Sequence, residues 1–164
     1  ILIEEAWKAI AKEGMAEYIK YLFKTVRKFF GEAVVVTQEV EDIISSPVVK
    51  QAIINNSDCK ILLDQSKYQN KFDQIQELLG LTDKEKAMVL SVNKANDPKL
   101  KYKEVFISLG GVHSKVYRTE VSLEEYLAYT TEQTEKVRLM EFAGRFGGDI
   151  KKGIAAMAAE IRNQ

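Results

Sequence analysis

Two aliphatic runs separated by one long amphipathic pattern constrain the fold of this chain more than any other feature. The first run opens the sequence as ILI, and the second is AVVV at residues 33–36. Between them, apolar side chains recur at the three- and four-residue spacings of one helix face: Met15, Tyr18, Ile19, Leu22, Phe23, Val26 and Phe30. Gly31 is expected to take the left-handed conformation after this helix. The order strand, helix, strand predicts two parallel strands joined by a crossover helix.

Later segments continue this alternation. A short helix opening at Pro47 leads to a third apolar run, CKILLDQ, which we expect to join the parallel sheet. Thr82 and Glu85 predict a capping box at the start of a later helix. Gly110 and Gly111 separate two β-prone runs and predict a tight hairpin. The predicted fold class is therefore α/β, with a mainly parallel sheet flanked by helices and an antiparallel hairpin at its edge.

Length and charge narrow the classes of function. A chain of 164 residues is expected to form a single domain over residues 1–164. Basic and acidic residues number 24 each, so the net charge leaves contact with DNA open without supporting it. Cys59 and His113 are the only cysteine and histidine, which excludes an internal disulfide and a cysteine–histidine zinc site. Every apolar run is far shorter than the roughly 20 residues of a membrane-spanning helix, and we expect a cytoplasmic protein.

Two carboxylates, Glu4 and Glu5, directly follow the first predicted strand. Ligands of α/β proteins bind at the carboxyl ends of parallel strands. A nucleotide hydrolase needs one acid there to hold Mg²⁺, often through water, and one to orient the attacking water. We assign Glu4 to the metal and Glu5 to the water. An alternative that the sequence leaves open is that both acids only stabilise the positive end of the next helix, by about 0.3–1 kcal/mol each.

Two further side chains are candidates for the same chemistry. Gln38 ends the second strand in the pair TQ, and its amide could contact both a γ-phosphate and the attacking water. Its alternative is a turn residue that satisfies backbone groups. Arg27 lies in the last turns of the long helix, and its guanidinium could neutralise charge on a transferred phosphoryl group, in its own subunit or a neighbour's. The alternative is a solvated cation that complements the helix dipole.

These segments resemble the conjugative-transfer ATPases of the TraG type, motors related to type IV secretion and to the HerA and FtsK translocases. The resemblance covers nearly the whole chain and rests most on ILIEEAW, RKFFGEAVVVTQ and NNSDCKILLDQ. It implies that ILIEEAW is the Walker B strand, with Glu4 near the magnesium and Glu5 as the catalytic glutamate. It also matches Gln38 to the family's TQ element and Arg27 to a basic helix position. Most members carry aspartate at the position of Glu4.

The resemblance implies a partial RecA-like P-loop NTPase fold that uses ATP and Mg²⁺ to drive conjugative DNA transfer or type IV secretion. The phosphate-binding motif G-x-x-x-x-G-K-[ST] does not occur in the sequence, which opens within an apolar strand. We therefore expect a C-terminal fragment, without its Walker A half, that is inactive alone and binds no cofactor tightly.

The implied partners are the other subunits of a homo-hexamer, together with secretion-channel and coupling proteins. The implied location is the inner face of the bacterial inner membrane. The alternative is a non-enzymatic assembly or protein-interaction module of a conjugation channel, in which the acids only cap a helix.

Overall fold

The computed structural model of the protein describes residues 1–38, 47–94 and 102–163. Contacts group the chain into two compact units. Unit 1 comprises residues 1–92 and 105–117, and unit 2 comprises residues 93–104 and 118–164. The expectation of a single domain over residues 1–164 stays a prediction.

Helices and short strands alternate along the first part of the chain. Its elements are β1 Leu2–Ile3, α1 Ala6–Ile10, α2 Glu13–Thr25, β2 Val34–Val35, α3 Pro47–Asn56, β3 Cys59–Leu62, α4 Phe72–Leu79 and α5 Asp83–Ser91. Short 3-10 turns occupy Val26–Phe29 and Ser66–Lys71. The later elements are β4 Lys103–Leu109, β5 His113–Thr119, α6 Leu123–Tyr129, α7 Gln133–Gly144 and α8 Ile150–Arg162. No helix in the described ranges is long and apolar enough to cross a membrane.

The strands β1 and β2 form the parallel pair that the first two aliphatic runs predict. Leu2 lies opposite Val34, and Ile3 lies opposite Val35. Ile3 and Val35 pack onto a buried cluster from the neighbouring helices: Ala6, Ile10, Ala16, Ile19, Phe23 and Ile53. The parallel pairing of β1 with β2, with helices between them in the sequence, confirms the strand, helix, strand order.

The end of α2 differs from the prediction in two ways. The helix continues as a 3-10 turn, and Phe30, not Gly31, takes the left-handed conformation with φ 53°. Gly31 is still required, because an added Cβ would lie 2.8 Å from the Cγ2 atom of Val26. Met15 and Tyr18, predicted for the buried face with Phe30, are 40% and 49% exposed. The buried stripe is therefore narrower than the apolar pattern.

The third apolar run does not join the parallel pair. β3 pairs antiparallel with β4, with Cys59 opposite Leu109 and Leu62 opposite Phe106, in a second sheet of order β3-β4-β5. Leu62 packs onto the buried cluster around Phe106, whereas Ile61 is 59% exposed. Such alternation is typical of antiparallel strands with one solvated face. The α/β class, with a parallel pair and an antiparallel hairpin, is nevertheless confirmed.

Local signals in the second half of unit 1 are confirmed. Thr82 and Glu85 form the complete capping box at the start of α5. Gly110 and Gly111 have φ 57° and 67° and connect β4 to β5. Both residues of such a two-residue turn need positive φ, which glycine adopts without strain.

Unit 2 contains a three-helix cluster. The buried side chains of α6, α7 and α8 form one core: Leu127, Leu139, Phe142, Met157 and Ala158. Gly153 of α8 lies so close to α7 that an added Cβ would be 2.7 Å from the backbone nitrogen of Ala143.

Candidate functional site

The residues that follow β1 and β2 leave the parallel pair at the same edge. The N–H of Val36 donates to the carbonyl of Ile3 at 2.9 Å, close to the end of the paired region. Glu4–Glu5 and Thr37–Gln38 come directly after these two residues. The register therefore places both segments at the carboxyl edge, where ligands of parallel sheets bind.

Glu5 has an unusual backbone conformation at this edge. Its φ is 48°, in the left-handed region that non-glycine residues seldom adopt. In a regular parallel ladder, the N–H of Glu5 would donate to the carbonyl of Val36. In this structure the N–H of Ala6 donates to that carbonyl instead, at 3.3 Å. The extra residue turns the chain sharply into α1. Such strain costs on the order of 1–3 kcal/mol and is concentrated at functional sites.

The three polar side chains at the edge have different surroundings. The carboxylate of Glu5 forms an ion pair with the Nζ atom of Lys8, and both side chains are about half exposed. Glu4 and Gln38 are exposed to solvent. Lys8 was not among the predicted site residues, although its i+3 position on a helix start is a recognisable signal for an ion pair.

The donor set at this edge fits a magnesium ion that is shared with a nucleotide. Mg²⁺ is usually held by one or two carboxylates, several waters and substrate phosphates. Glu4 supplies such a carboxylate. Within the described ranges, no cluster of three or more histidine, cysteine, aspartate or glutamate residues that could hold a metal ion is present.

Arg27 lies away from this edge. It is exposed on the 3-10 turn Val26–Phe29, which leads to the amino end of β2. At that end, the amino group of Ile1 donates to the carbonyl of Glu32 at 2.6 Å. The four steps along the chain from Ile1 to Glu5 span at most roughly 13 Å at about 3.3 Å per step. The Arg27 backbone therefore lies at the opposite end of the strand pair from Glu5.

Acids at the carboxyl edge of a parallel strand pair lie where ligands of α/β proteins bind. A family model described as the TraG P-loop domain matches residues 1–161. The chain belongs to this family, which makes it a conjugation-related P-loop protein. Membership also implies nucleotide binding in general terms. No curated protein and no solved structure matches the chain.

Proposed function

We propose that this chain is part of an ATP-hydrolysing motor for conjugative DNA transfer or type IV secretion, and that its first 38 residues supply the Walker B acids and the sensor glutamine. One observation carries the proposal. In the parallel register of β1 and β2, the Glu4–Glu5 and Thr37–Gln38 segments both begin at the carboxyl edge of the strand pair, and Glu5 there has a strained left-handed backbone. Family membership supplies the nucleotide as the ligand.

Each residue at the edge has a distinct role in this proposal. Glu4 would hold Mg²⁺ through a water of its shell, and the ion, when bound, would stabilise the negative charge on the phosphates. Glu5 accepts a hydrogen bond from the attacking water and orients it. Gln38 donates to a phosphate oxygen and accepts from the same water. The motif G-x-x-x-x-G-K-[ST] does not occur in this sequence, so the proposal does not include a phosphate-binding loop among its residues.

Arg27 acts, in this proposal, on the nucleotide of a neighbouring subunit. Its position at the amino end of β2 is far from its own Glu5, which favours action between subunits over action within one. The assembly is a homo-hexamer at the cytoplasmic face of the inner membrane, in contact with secretion-channel and coupling proteins.

The test is Mg²⁺-dependent ATP hydrolysis by the full gene product that contains this chain. Glu5→Gln removes the acceptor charge and should lower turnover by about 100-fold or more, while nucleotide binding is retained. Glu17→Gln is the matched control, because Glu17 is also an exposed glutamate paired with a lysine three residues later, Lys20, at 3.1 Å. Unchanged turnover in Glu5→Gln would eliminate the water-orienting role.

A second candidate function, a non-enzymatic assembly module, is favoured by the ion pair between Glu5 and Lys8. In that case the acids only stabilise the start of α1. Lys8→Gln separates the two candidates, since it breaks the ion pair and leaves the carboxylate of Glu5 in place. The motor proposal expects Lys8→Gln to keep ATP hydrolysis, whereas the assembly alternative expects Lys8→Gln and Glu5→Gln to impair channel assembly equally.

A further inference from the structure

We propose that the outer face of α7 is the surface through which a second copy of this chain binds, with the two α7 helices side by side and parallel. We define the α7 stripe as Gln133, Val137 and Met140. The inference goes beyond the proposed function and does not depend on it, because the stripe belongs to unit 2 and the proposed catalytic residues belong to unit 1.

The α7 stripe lies on the side of its helix that faces away from the core of unit 2. Leu139 and Phe142 of the same helix are buried in the three-helix cluster. At roughly 100° per residue, Val137 and Met140 project in nearly the opposite direction. These two side chains are 51% and 57% exposed. The outer side of a surface helix is ordinarily polar, so two neighbouring large apolar side chains there indicate a contact surface.

Two opposite charges flank the α7 stripe. Lys136 lies along one side of the stripe and Glu141 along the other, and both are exposed. Together with Gln133, Val137 and Met140, they line a shallow groove of about 460 Å³. Neither Lys136 nor Glu141 forms an ion pair with any residue in the described ranges. Both charges are therefore available to a partner.

The spacing of the α7 stripe is that of a coiled-coil seam. Residues 133, 137 and 140 follow the four- and three-residue steps of heptad positions d, a and d. Lys136 then occupies position g and Glu141 position e, where charges set the partner and the orientation. In a parallel pair of identical helices, position g of one helix lies beside the position e that comes five residues later in the other. Lys136 of each copy therefore meets Glu141 of the other copy.

The signs of these two charges identify the partner. In an antiparallel pair of α7 helices, Lys136 would face Lys136 and Glu141 would face Glu141, and both contacts would be repulsive. DNA or an anionic lipid surface would attract Lys136 and repel Glu141. A parallel second copy pairs both charges and covers both apolar side chains. Such a contact is isologous and joins two copies only, so it links copies from different rings of the proposed hexamer, not neighbours within one ring.

The direct test is a disulfide between residue 140 of two copies. Met140→Cys is combined with Cys59→Ser in the full gene product, because Cys59 is the only cysteine of this sequence and is exposed. Facing d positions of a parallel pair bring two Cα atoms within the roughly 4.4–6.8 Å that a disulfide requires. We expect mild oxidation to give a peptide that is joined to itself through residue 140, which requires two copies.

The control for this disulfide is Tyr129→Cys in the same background. Tyr129 is 75% exposed and belongs to unit 2, but it lies outside the α7 stripe. A yield of the residue-140 disulfide no higher than that of the residue-129 disulfide would overturn the inference. Disulfides that join residue 140 only to other positions of the chain or only to a different protein would do the same.

Charge variants of the Met140→Cys protein test the orientation. Lys136→Glu should raise the protein concentration needed for half-maximal disulfide formation by about tenfold, because two attractive pairs become repulsive. The further change Glu141→Lys restores both pairs with their signs exchanged, so disulfide formation should recover. Lys151→Glu is the matched control, because Lys151 is an exposed lysine of α8, and it should have no effect. No recovery in the double charge variant would refute the parallel arrangement.

The docking inference and the proposed function fail separately. Glu5→Gln should leave the residue-140 disulfide unchanged even where it abolishes ATP hydrolysis. Absence of the disulfide would overturn the docking inference alone, since no step of the proposed hydrolysis uses the α7 stripe.

Discussion

Glu85→Gln tests a buried carboxylate that joins the start of α5 to the β4–β5 hairpin. Glu85 is only 8% exposed. Its Oε1 atom accepts from the hydroxyl of Ser108 at 3.2 Å and from that of Ser114. Its Oε2 atom accepts from the N–H of Thr82 at 2.8 Å and from the hydroxyl of Thr82 at 2.9 Å. Four donors therefore converge on one carboxylate.

The substitution should lower the free energy of unfolding of unit 1 by about 2–3 kcal/mol. An amide nitrogen cannot accept, so whichever oxygen it replaces leaves two donors without a partner. A hydrogen bond to a charged group contributes about 1.5–3 kcal/mol. The total cost of two lost hydrogen bonds is reduced because a serine hydroxyl can rotate to another acceptor. The hydroxyl of Ser114 already lies 3.1 Å from that of Ser108. The N–H of Thr82 cannot rotate, so the lower limit is set by the orientation in which the amide keeps its oxygen towards Thr82 and turns its nitrogen towards the two serine hydroxyls.

The same contacts give the effect a defined pH dependence. Burial raises the pKa of Glu85, but hydrogen bonds from Ser114, Thr82 and Ser108 together lower this pKa below its ordinary value of 4.5. Because the folded pKa is lowered, the stabilisation is present above pH 4.5 and is lost as the pH falls through the folded value. The difference in stability between wild type and Glu85→Gln should therefore shrink below pH 4.5.

Urea unfolding followed by circular dichroism at pH 7 and at lower pH measures the effect, and hydrogen exchange in residues 103–119 shows whether the hairpin opens first. Glu77→Gln is the control, because Glu77 is an exposed glutamate on the neighbouring helix α4. A loss below about 0.5 kcal/mol at pH 7, the usual size of a surface substitution, would refute the reasoning.

Three further predictions concern single contacts. Gly153→Ala should lower the thermal midpoint of unit 2, because the added Cβ would meet the backbone of α7. Gly144→Ala should not lower this midpoint, because its added Cβ would have open space around it, and calorimetry of both variants measures the difference. Phe30→Asn should raise the free energy of unfolding by up to about 1 kcal/mol in urea titrations, since asparagine tolerates the left-handed region better; a lower value would contradict the strain argument. Arg162→Gln breaks a bidentate ion pair with Glu124 and should lower the thermal midpoint of unit 2 only slightly, and less at high salt; a salt-independent loss would contradict this.

Features that depend on neighbouring residues were predictable from the sequence. The capping box at Thr82 and Glu85 needs only two side chains three residues apart, and the hairpin needs only the positive φ of Gly110 and Gly111. The parallel pairing of β1 with β2 was also predictable. A connection that is mainly helical between two aliphatic runs leaves few other topologies.

The pairing of β3 was not predictable, because a run of three aliphatic residues shows no clear period. A strand covered on both faces and a strand with one solvated face differ only over a longer pattern. In the structure, Leu62 is packed onto the core while Ile61 and Leu63 are 59% and 62% exposed. The partner of β3 is set by the face that Leu62 shares with Phe106, a contact between residues far apart in sequence.

The candidate site shows the same division between local and distant information. The sequence shows that Glu4, Glu5 and Gln38 follow aliphatic runs, and the register of β1 with β2 places these residues at one edge of the strand pair.

The left-handed backbone of Glu5 could not be predicted from the sequence, since no glycine or asparagine marks the position. It arises because the chain leaves the ladder after Ile3 and begins α1 at Ala6, with only Glu4 and Glu5 between them. That abrupt turn fixes the backbone of Glu5 without a ligand, and a preorganised backbone lowers the cost of positioning the carboxylate to which we assign a catalytic role in the proposed function. Glu5→Gly would keep the turn without strain but remove the carboxylate. We therefore expect Glu5→Gly to stabilise unit 1 in urea unfolding while it abolishes ATP hydrolysis by the full gene product, and a loss of stability would contradict the proposed strain.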